Sequence, residues 1–348
     1  MPQLDGVRCL AVMSVLICHF GAEGRFGLAG VFTFFVLSGF LITGILLRLR
    51  EESPTVRGAS RFYVRRALRI FPLYYGVLTL GVLIGLPGVQ NHLLWHLGYA
   101  SNLGRGILRD GFGAVGHFWS LAVEEQFYLF WPWAVLFLPQ RWLAPTILAG
   151  VVSGVLSRTV LILLTGENEP TDHFIWLNIT TSALDQLGLG ALLAYCRHYG
   201  WGLRPLRRWS MLGAVFCLPI LVVSPSAKLG VPVVDYGLGW FVAGLGFLWL
   251  VDRAADGRTP FLGWPPARYI GKISYGLYVL HHPIMWFAGP VVGGEPSVPR
   301  FFVLSALSIG LAALSWHLFE APINALKHRV PYLDAGYRWR ARSQVPSG

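Results

Sequence analysis

Ten apolar stretches, several of them short for a membrane span, are the feature that most limits how this chain can fold. A helix needs about 20 residues to cross a bilayer, and the apolar residues here are continuous rather than alternating as in a membrane β-barrel. Charged residues make up only 13% of the chain, about half the share typical of soluble domains. We therefore predict an all-α polytopic membrane protein with about ten transmembrane helices, at residues 5–22, 30–48, 70–87, 118–138, 143–164, 182–196, 209–224, 238–251, 270–289 and 301–319.

The distribution of Lys and Arg predicts the orientation. With a cytoplasmic N-terminus, the inner segments carry 21 of these residues and the outer segments carry five, as counted along the sequence. Cytoplasmic loops retain such an excess, so both termini are predicted to be cytoplasmic, and the net charge of +11 needs no nucleic acid to explain it. Residues 1–322 then form one transmembrane domain and 323–348 a basic cytoplasmic tail. The stretch 91–103 is too short to span and is predicted to be re-entrant or interfacial.

Ionisable side chains inside apolar helices are costly and are therefore candidates for function. Arg8 and His19 are eleven residues apart, which places them on one helix face, about 16.5 Å apart along the axis. They could line a single cavity; alternatively, Arg8 snorkels to the interface and His19 is a structural hydrogen-bonding group. Glu124 and Glu125 could act in the site or form salt bridges that hold the bundle together.

An arginine-rich segment precedes the third apolar stretch. Arg61, Arg65 and Arg69 form one helical stripe, with Arg66 beside it. Guanidinium groups bind phosphates bidentately, so the segment could hold a phosphorylated substrate. Retention of positive charge in the cytoplasm or binding of anionic lipid headgroups would produce the same pattern.

Five further residues are weaker candidates. Arg158 and Asp185 lie toward the outer ends of neighbouring spans and could simply pair with each other. Ser38 lies among small residues that permit close helix packing. His281 belongs to an adjacent histidine pair, and Glu320 ends the tenth span. The histidine pair has no third ligand at a metal-binding spacing, so we predict no metal site.

Six segments occur in an order that resembles the acyltransferase-3 family of integral membrane acyltransferases, covering residue 4 to about 322. They are LDGVRCLAVMSVLICH, GVFTFFVLSGFLIT, RFYVRRALRIFPLYY, HFWSLAVEEQFYLFWP, GKISYGLYVLHHP and FEAP. The family's Arg-x10-His motif falls on Arg8 and His19, and its arginine cluster on Arg65, Arg66 and Arg69. An Arg that often precedes the family's Asp by two residues is Ala183 here. Many relatives carry a further extracytoplasmic domain, which we do not expect in this chain.

The resemblance implies transfer of an acyl group, most often acetyl, from acyl-CoA to a hydroxyl of a carbohydrate or of a glycosylated or hydrophobic natural product. Acyl-CoA, expected to be acetyl-CoA, would be a co-substrate, with no bound cofactor. His19 would act as general base or carry the acyl group itself, with Arg8, Glu124 and Glu125 in the same catalytic set. Arg61 joins the arginine cluster as a candidate for acyl-CoA binding. The expected location is the inner membrane of a bacterium.

A transporter or exporter of glycans or natural products is the main alternative. Ten spans with buried charges would suit such a protein. However, the two halves of the sequence show no symmetry and no matched pair of broken helices, which are common in secondary transporters.

Overall fold

The computed structural model describes residues 1–21, 26–52, 56–165, 178–223, 233–293 and 297–330. Within these ranges the regular structure is helical, with no strand. The α-helices of the described ranges are α1 (Pro2–Leu16), α2 (Phe26–Glu52), α3 (Val56–Leu83), α4 (Leu93–Leu97), α5 (Ser101–Leu108), α6 (Trp119–Phe137), α7 (Gln140–Thr165), α8 (Thr180–Tyr199), α9 (Leu203–Val223), α10 (Gly239–Ala255), α11 (Pro265–Val292), α12 (Val298–Ser315) and α13 (Ala321–Ala325).

The protein is a multi-pass membrane protein. Six helical segments of the described chain are long and apolar enough to cross a bilayer: Pro2–Gly21, Phe26–Glu52, Val56–Leu83, Gln140–Leu164, Tyr236–Ala255 and Val298–Arg329. They coincide with six of the ten predicted stretches. The other four predicted stretches coincide with α6, α8, α9 and α11. The all-helical architecture is therefore confirmed, while the number of crossings stays a prediction.

The arginine-rich segment before the third apolar stretch is helical. The predicted stripe of Arg61, Arg65 and Arg69 lies within a helix, and α3 begins at Val56, well before the predicted start of the span at residue 70. Hydropathy marks where a helix enters lipid, whereas Arg, Ala and Leu favour helix whether or not lipid surrounds them. The arginines therefore belong to the same continuous helix as the apolar half of α3.

Two other segments also differ from simple spans. Residues 91–103 contain α4 and the beginning of α5, each far too short to cross a membrane. The predicted tail begins with α13 and a 3-10 turn at Leu326–Arg329, and residues 331–348 lie outside the described residues.

Helix α2 lies at the centre of the bundle and packs against α1, α6, α8 and α10. Its contact with α8 depends on glycine, because a Cβ atom on Gly39 would lie 1.9 Å from the Leu187 carbonyl oxygen. A Cβ atom on Gly190 of α8 would likewise lie 1.9 Å from the Val36 carbonyl oxygen. Small residues let the two backbones approach closely. The core around α2 is filled by fully buried aromatic and aliphatic side chains such as Phe32.

Candidate active site

A narrow cavity of about 130 Å³ lies between α1, α2, α3, α6 and α11. Helix α2 supplies a largely apolar wall that includes Val31, Phe34 and Leu41. Ile70 and Leu121 also line the cavity, together with polar groups from all five helices: Arg8, Ser38, Arg66, Arg69, Ser120, Glu124, Tyr128, Ser274, Tyr275 and Tyr278. The cavity therefore combines a largely apolar wall on α2 with charged and polar groups from the neighbouring helices.

A wider cavity of about 290 Å³, here called the basic vestibule, adjoins the narrow one and shares Arg8, Arg66 and Arg69 with it. Its lining residues are Asp5, Arg8, Arg65, Arg66, Arg69, Lys272, Trp316, Asn324 and Lys327. Six of these side chains are cationic and one is a carboxylate. The vestibule can therefore attract and bind an anion with several negative charges.

Neighbouring groups hold the vestibule arginines in place. Arg8 forms an ion pair with Asp5, one turn earlier on α1. Arg65 donates hydrogen bonds to the carbonyl oxygens of Lys327 (2.7 Å) and Val330 (2.8 Å). The Arg69 guanidinium lies 5.1 Å from the centre of the Trp316 ring, within the range of a cation–π contact.

The structure separates the members of the predicted arginine cluster. Arg65, Arg66 and Arg69 line the basic vestibule, and Arg61 lines neither of the two cavities. The helical periodicity explains the grouping of Arg65, Arg66 and Arg69, because these three lie within about one turn of α3.

Ser38, Glu124 and Tyr128 form a polar group on the wall of the narrow cavity. Ser38 Oγ donates a hydrogen bond to Glu124 Oε1 (2.6 Å) and lies 2.5 Å from the Tyr128 hydroxyl. Glu125 does not line the cavity. Its buried Oε1 has no hydrogen-bond partner within the described ranges. Of the two predicted glutamates, Glu124 is the one placed to meet a ligand in the cavity.

Four imidazole rings, here called the histidine cluster, come together beside the narrow cavity: His19, His117, His281 and His282. His19 Nδ1 lies 3.0 Å from His281 Nε2, and the ring of His19 lies 5.3 Å from that of His282. The His117 ring lies 4.8 Å from that of His281 and 5.1 Å from that of His282. No group in the described part of the chain has an arrangement that could hold a metal ion.

Local helix geometry brings His19 into this cluster. The residues Ile17–Gly21 form a π-helical turn that continues α1, and such turns are frequent at functional sites. The rotation per residue is smaller in a π-helix than in an α-helix, so α-helical extrapolation from Arg8 does not describe the direction of His19. Arg8 lines the narrow cavity, and His19 is not among its lining residues.

Tyr278 lies between the narrow cavity and the histidine cluster. It lines the cavity, and its hydroxyl is hydrogen-bonded to Ser120 Oγ (2.6 Å). The Tyr278 ring lies 5.4 Å from the rings of both His117 and His281. Arg8 and His19 therefore occupy two neighbouring compartments that Tyr278 separates.

Sequence reasoning considered His282 only as the neighbour of His281, and it did not select His117 or Tyr278, although all three lie in quoted motifs. His117 is the first residue of HFWSLAVEEQFYLFWP and lies in a 3-10 turn, Gly113–Phe118, just before α6. A polar residue at the mouth of an apolar helix is normally interpreted as interfacial. Only the tertiary arrangement shows that its side chain, 5% exposed, is directed toward α11.

The remaining candidates lie elsewhere. Arg158 and Asp185 form a bidentate ion pair (2.7 and 2.5 Å) with both side chains fully buried between α7 and α8. Ala183 stands where the family that the sequence resembles often has an Arg before this Asp. Arg158 is the cation that pairs with Asp185 in this chain. Glu320 lies in the π-helical turn Trp316–Glu320 and accepts a hydrogen bond from Ser315 Oγ (3.0 Å).

The segment between α5 and α6 contacts the histidine cluster through His282. His282 Nδ1 lies 3.0 Å from the Ala114 carbonyl oxygen. Nearby, the Phe112 backbone N–H donates a hydrogen bond to Asp110 Oδ1 (2.7 Å), and this bond lowers the pKa of the Asp110 carboxyl below its usual value. Asp110 is therefore charged at neutral pH and fixes the turn that precedes Ala114.

Comparisons with known proteins identify relatives of this chain. The chain is 30% identical over 350 residues to the peptidoglycan O-acetyltransferase OatA of Listeria monocytogenes, with 93% of this chain and 56% of the relative covered. It is 29% identical over 355 residues to the O-acetyltransferase OatA of Staphylococcus aureus, with 93% and 57% covered. The chain thus spans little more than half the length of these relatives. No solved structure matches it.

The family comparison covers nearly the whole chain. The family model described as an acyltransferase domain, acyltransferase 3, matches residues 1–317. That range contains both cavities except for the vestibule residues Asn324 and Lys327, and it contains the whole histidine cluster. The resemblance seen in the sequence is confirmed: the chain belongs to the acyltransferase-3 family of membrane acyltransferases.

Proposed function

We propose that this protein transfers an acetyl group from acetyl-CoA to a hydroxyl of a carbohydrate, with a peptidoglycan sugar as the acceptor class that the Listeria relative suggests. The observation that carries the proposal is the succession of three sites in one bundle: a basic vestibule, a narrow cavity and a histidine cluster. This succession matches a donor with a polyphosphorylated end, a thin arm and a reactive thioester.

The nucleotide end of the donor would bind in the basic vestibule. Coenzyme A carries several phosphate charges, and Arg66 and Arg69 present guanidinium groups to the space that joins the two cavities. Bidentate, charge-assisted hydrogen bonds to phosphate are stronger than neutral ones. The pantetheine arm would then extend along the narrow cavity past Ser38 and Glu124, whose oxygens can accept from its amide N–H groups.

The histidine cluster would supply the base. As the acceptor oxygen attacks the thioester carbonyl, its proton passes to His19, a new C–O bond forms and the C–S bond breaks. The thiolate of CoA then takes the proton from the imidazolium. Imidazole suits this role because its ordinary pKa lies near neutral pH. Tyr278 must turn aside for the thioester to reach the cluster, since its ring lies between the two compartments.

We further propose that ten helices cross the bacterial inner membrane with both termini in the cytoplasm. Three of the four vestibule arginines, Arg65, Arg66 and Arg69, belong to the segment with the largest excess of positive charge, 48–69, which the positive-inside rule assigns to the cytoplasm. Acetyl-CoA would therefore enter from the cytoplasm, and the histidine cluster would lie further toward the outer face.

The test is acetyl transfer by membranes that contain equal amounts of wild-type or variant protein. Membranes receive labelled acetyl-CoA and peptidoglycan fragments, and label in the fragments is measured. Wild type is expected to transfer label, and His19→Ala to lose at least about 100-fold, the usual contribution of general base catalysis. His317→Ala is the matched control, because His317 is exposed and its ring contacts Tyr269 outside both cavities.

Two outcomes would contradict the proposal. Undiminished transfer by His19→Ala would exclude His19 as the base. Absence of acetyl-CoA consumption by wild type with every carbohydrate acceptor offered would contradict the donor and would favour the transport alternative.

A further inference from the structure

We infer that His281 is a positioning residue that holds His19 in the tautomer with a proton on Nδ1, so that Nε2 of His19 is the basic atom. The inference deepens the proposed function and rests on it for the role of His19, but not for the tautomer itself. It starts from two hydrogen bonds made by a fully buried ring.

The first bond fixes the tautomer of His281. Its Nδ1 lies 2.6 Å from the carbonyl oxygen of Tyr278, and a carbonyl oxygen can only accept. The Nδ1 atom of His281 must therefore carry a proton. His281 is 0% exposed, and a second proton would place a charge in this buried site at high cost. Nε2 of His281 is thus left as an acceptor.

The second bond fixes the tautomer of His19. His281 Nε2 lies 3.0 Å from His19 Nδ1, and since Nε2 can only accept, His19 Nδ1 must donate. A neutral imidazole has a single N–H, so the lone pair of His19 is on Nε2. The chain of bonds runs from the Tyr278 carbonyl through both rings and ends at an unprotonated nitrogen.

The nitrogen atoms that His282 and His117 use for hydrogen bonds are directed at backbone carbonyl oxygens rather than at His19. His282 directs its Nδ1 to the Ala114 carbonyl oxygen, 3.0 Å away, and its ring meets that of His19 edge to face, at 71°. His117 directs its Nε2 to the Val279 carbonyl oxygen, 3.3 Å away. These contacts pack the cluster, whereas the hydrogen bond from His281 sets the protonation pattern of His19.

A matched pair of substitutions separates positioning from packing. In His281→Gln, the amide oxygen can occupy the place of Nε2 and accept from His19. In His281→Asn, the shorter amide can keep the bond to the Tyr278 carbonyl but cannot reach His19. Both replacements are polar, smaller than histidine and similarly disruptive to packing.

The expected result is a difference in kcat. With wild-type abundance in the membrane, His281→Asn should lose about 10–100-fold in kcat, by analogy with the loss that follows removal of a partner that orients a metal-bound histidine. His281→Gln, which keeps an acceptor for His19, should stay close to wild type. The KM for acetyl-CoA should not change in either variant, because His281 does not line the cavities. Equal losses in the two variants would overturn the positioning role.

A second measurement needs no activity. Solid-state NMR of bilayer-embedded protein labelled with ¹⁵N-histidine distinguishes the two neutral tautomers. The signal that disappears in His19→Gln should be that of a neutral imidazole protonated on Nδ1. Loss of an Nε2-protonated or doubly protonated signal would overturn the inference even if the protein proves to be an acetyltransferase, and the expected signal would support it even if the acceptor is wrong.

Discussion

Arg66 lies where the basic vestibule meets the narrow cavity, with its guanidinium 5.6 Å from the centre of the Tyr128 ring. Its buried Nε has no hydrogen-bond partner in the described part of the chain, and the residue lines both cavities. We expect Arg66→Gln to raise the KM for acetyl-CoA about 10–100-fold with little change in kcat, since a hydrogen bond to a charged group contributes about 1.5–3 kcal/mol.

Arg57→Gln is the control for this prediction, because Arg57 lies on the same helix and is exposed. Initial rates over a range of acetyl-CoA concentrations provide both constants. An unchanged KM in Arg66→Gln, or an equal rise in both variants, would show that the phosphates bind elsewhere.

At the scale of helices, the crossing of α2 and α8 depends on the absence of a side chain at Gly39. Alanine there would place Cβ against the Leu187 carbonyl oxygen, so the backbones must separate. We expect Gly39→Ala to lower the free energy of unfolding by about 1–3 kcal/mol, as overpacking usually does. Gly44→Ala, on the same helix with no atom within 4 Å of its Cβ position, should instead be neutral or stabilise by up to about 1 kcal/mol. Thermal unfolding in detergent measures both; equal midpoints would contradict the packing argument.

Helices were easier to predict from this sequence than the site was. Each of the ten apolar stretches coincides with a helix because burial in lipid and burial in the bundle both require apolar residues. The start of α3 was missed because helix formation by Arg-rich sequence does not depend on hydropathy. The turn at Ile17–Gly21 was missed because a π-helical insertion changes hydrogen bonding without changing composition.

The site depends on contacts between residues far apart in the chain. Arg8, Glu124, Arg66 and Arg69 could be selected as charges in or beside apolar helices, and they line the same cavity. Which glutamate faces that cavity, and that His117 meets His281, depends on how α6 is rotated against α11, and a single sequence has no signal for this rotation.

For the whole molecule, the positive-inside rule predicts which end of the bundle faces the cytoplasm. In a variant without the four native cysteines, Arg109→Cys should react with a membrane-impermeant maleimide in intact cells, whereas Arg204→Cys should react only after lysis. Both positions are exposed, so accessibility from each side decides the labelling. Labelling of Arg204→Cys in intact cells would reverse the orientation and with it the side from which acetyl-CoA enters.

The ion pair between Arg158 and Asp185 has a consequence for biogenesis. Neither charge has water to solvate it, since both side chains are fully buried, and a lone Arg or Asp within a membrane helix is costly. The two residues lie on α7 and α8, which are neighbours in the order of the described helices. We therefore expect α7 and α8 to leave the insertion machinery together, as a pair whose charges cancel. Arg158 would then enter the lipid only after Asp185 has been synthesised and can neutralise it.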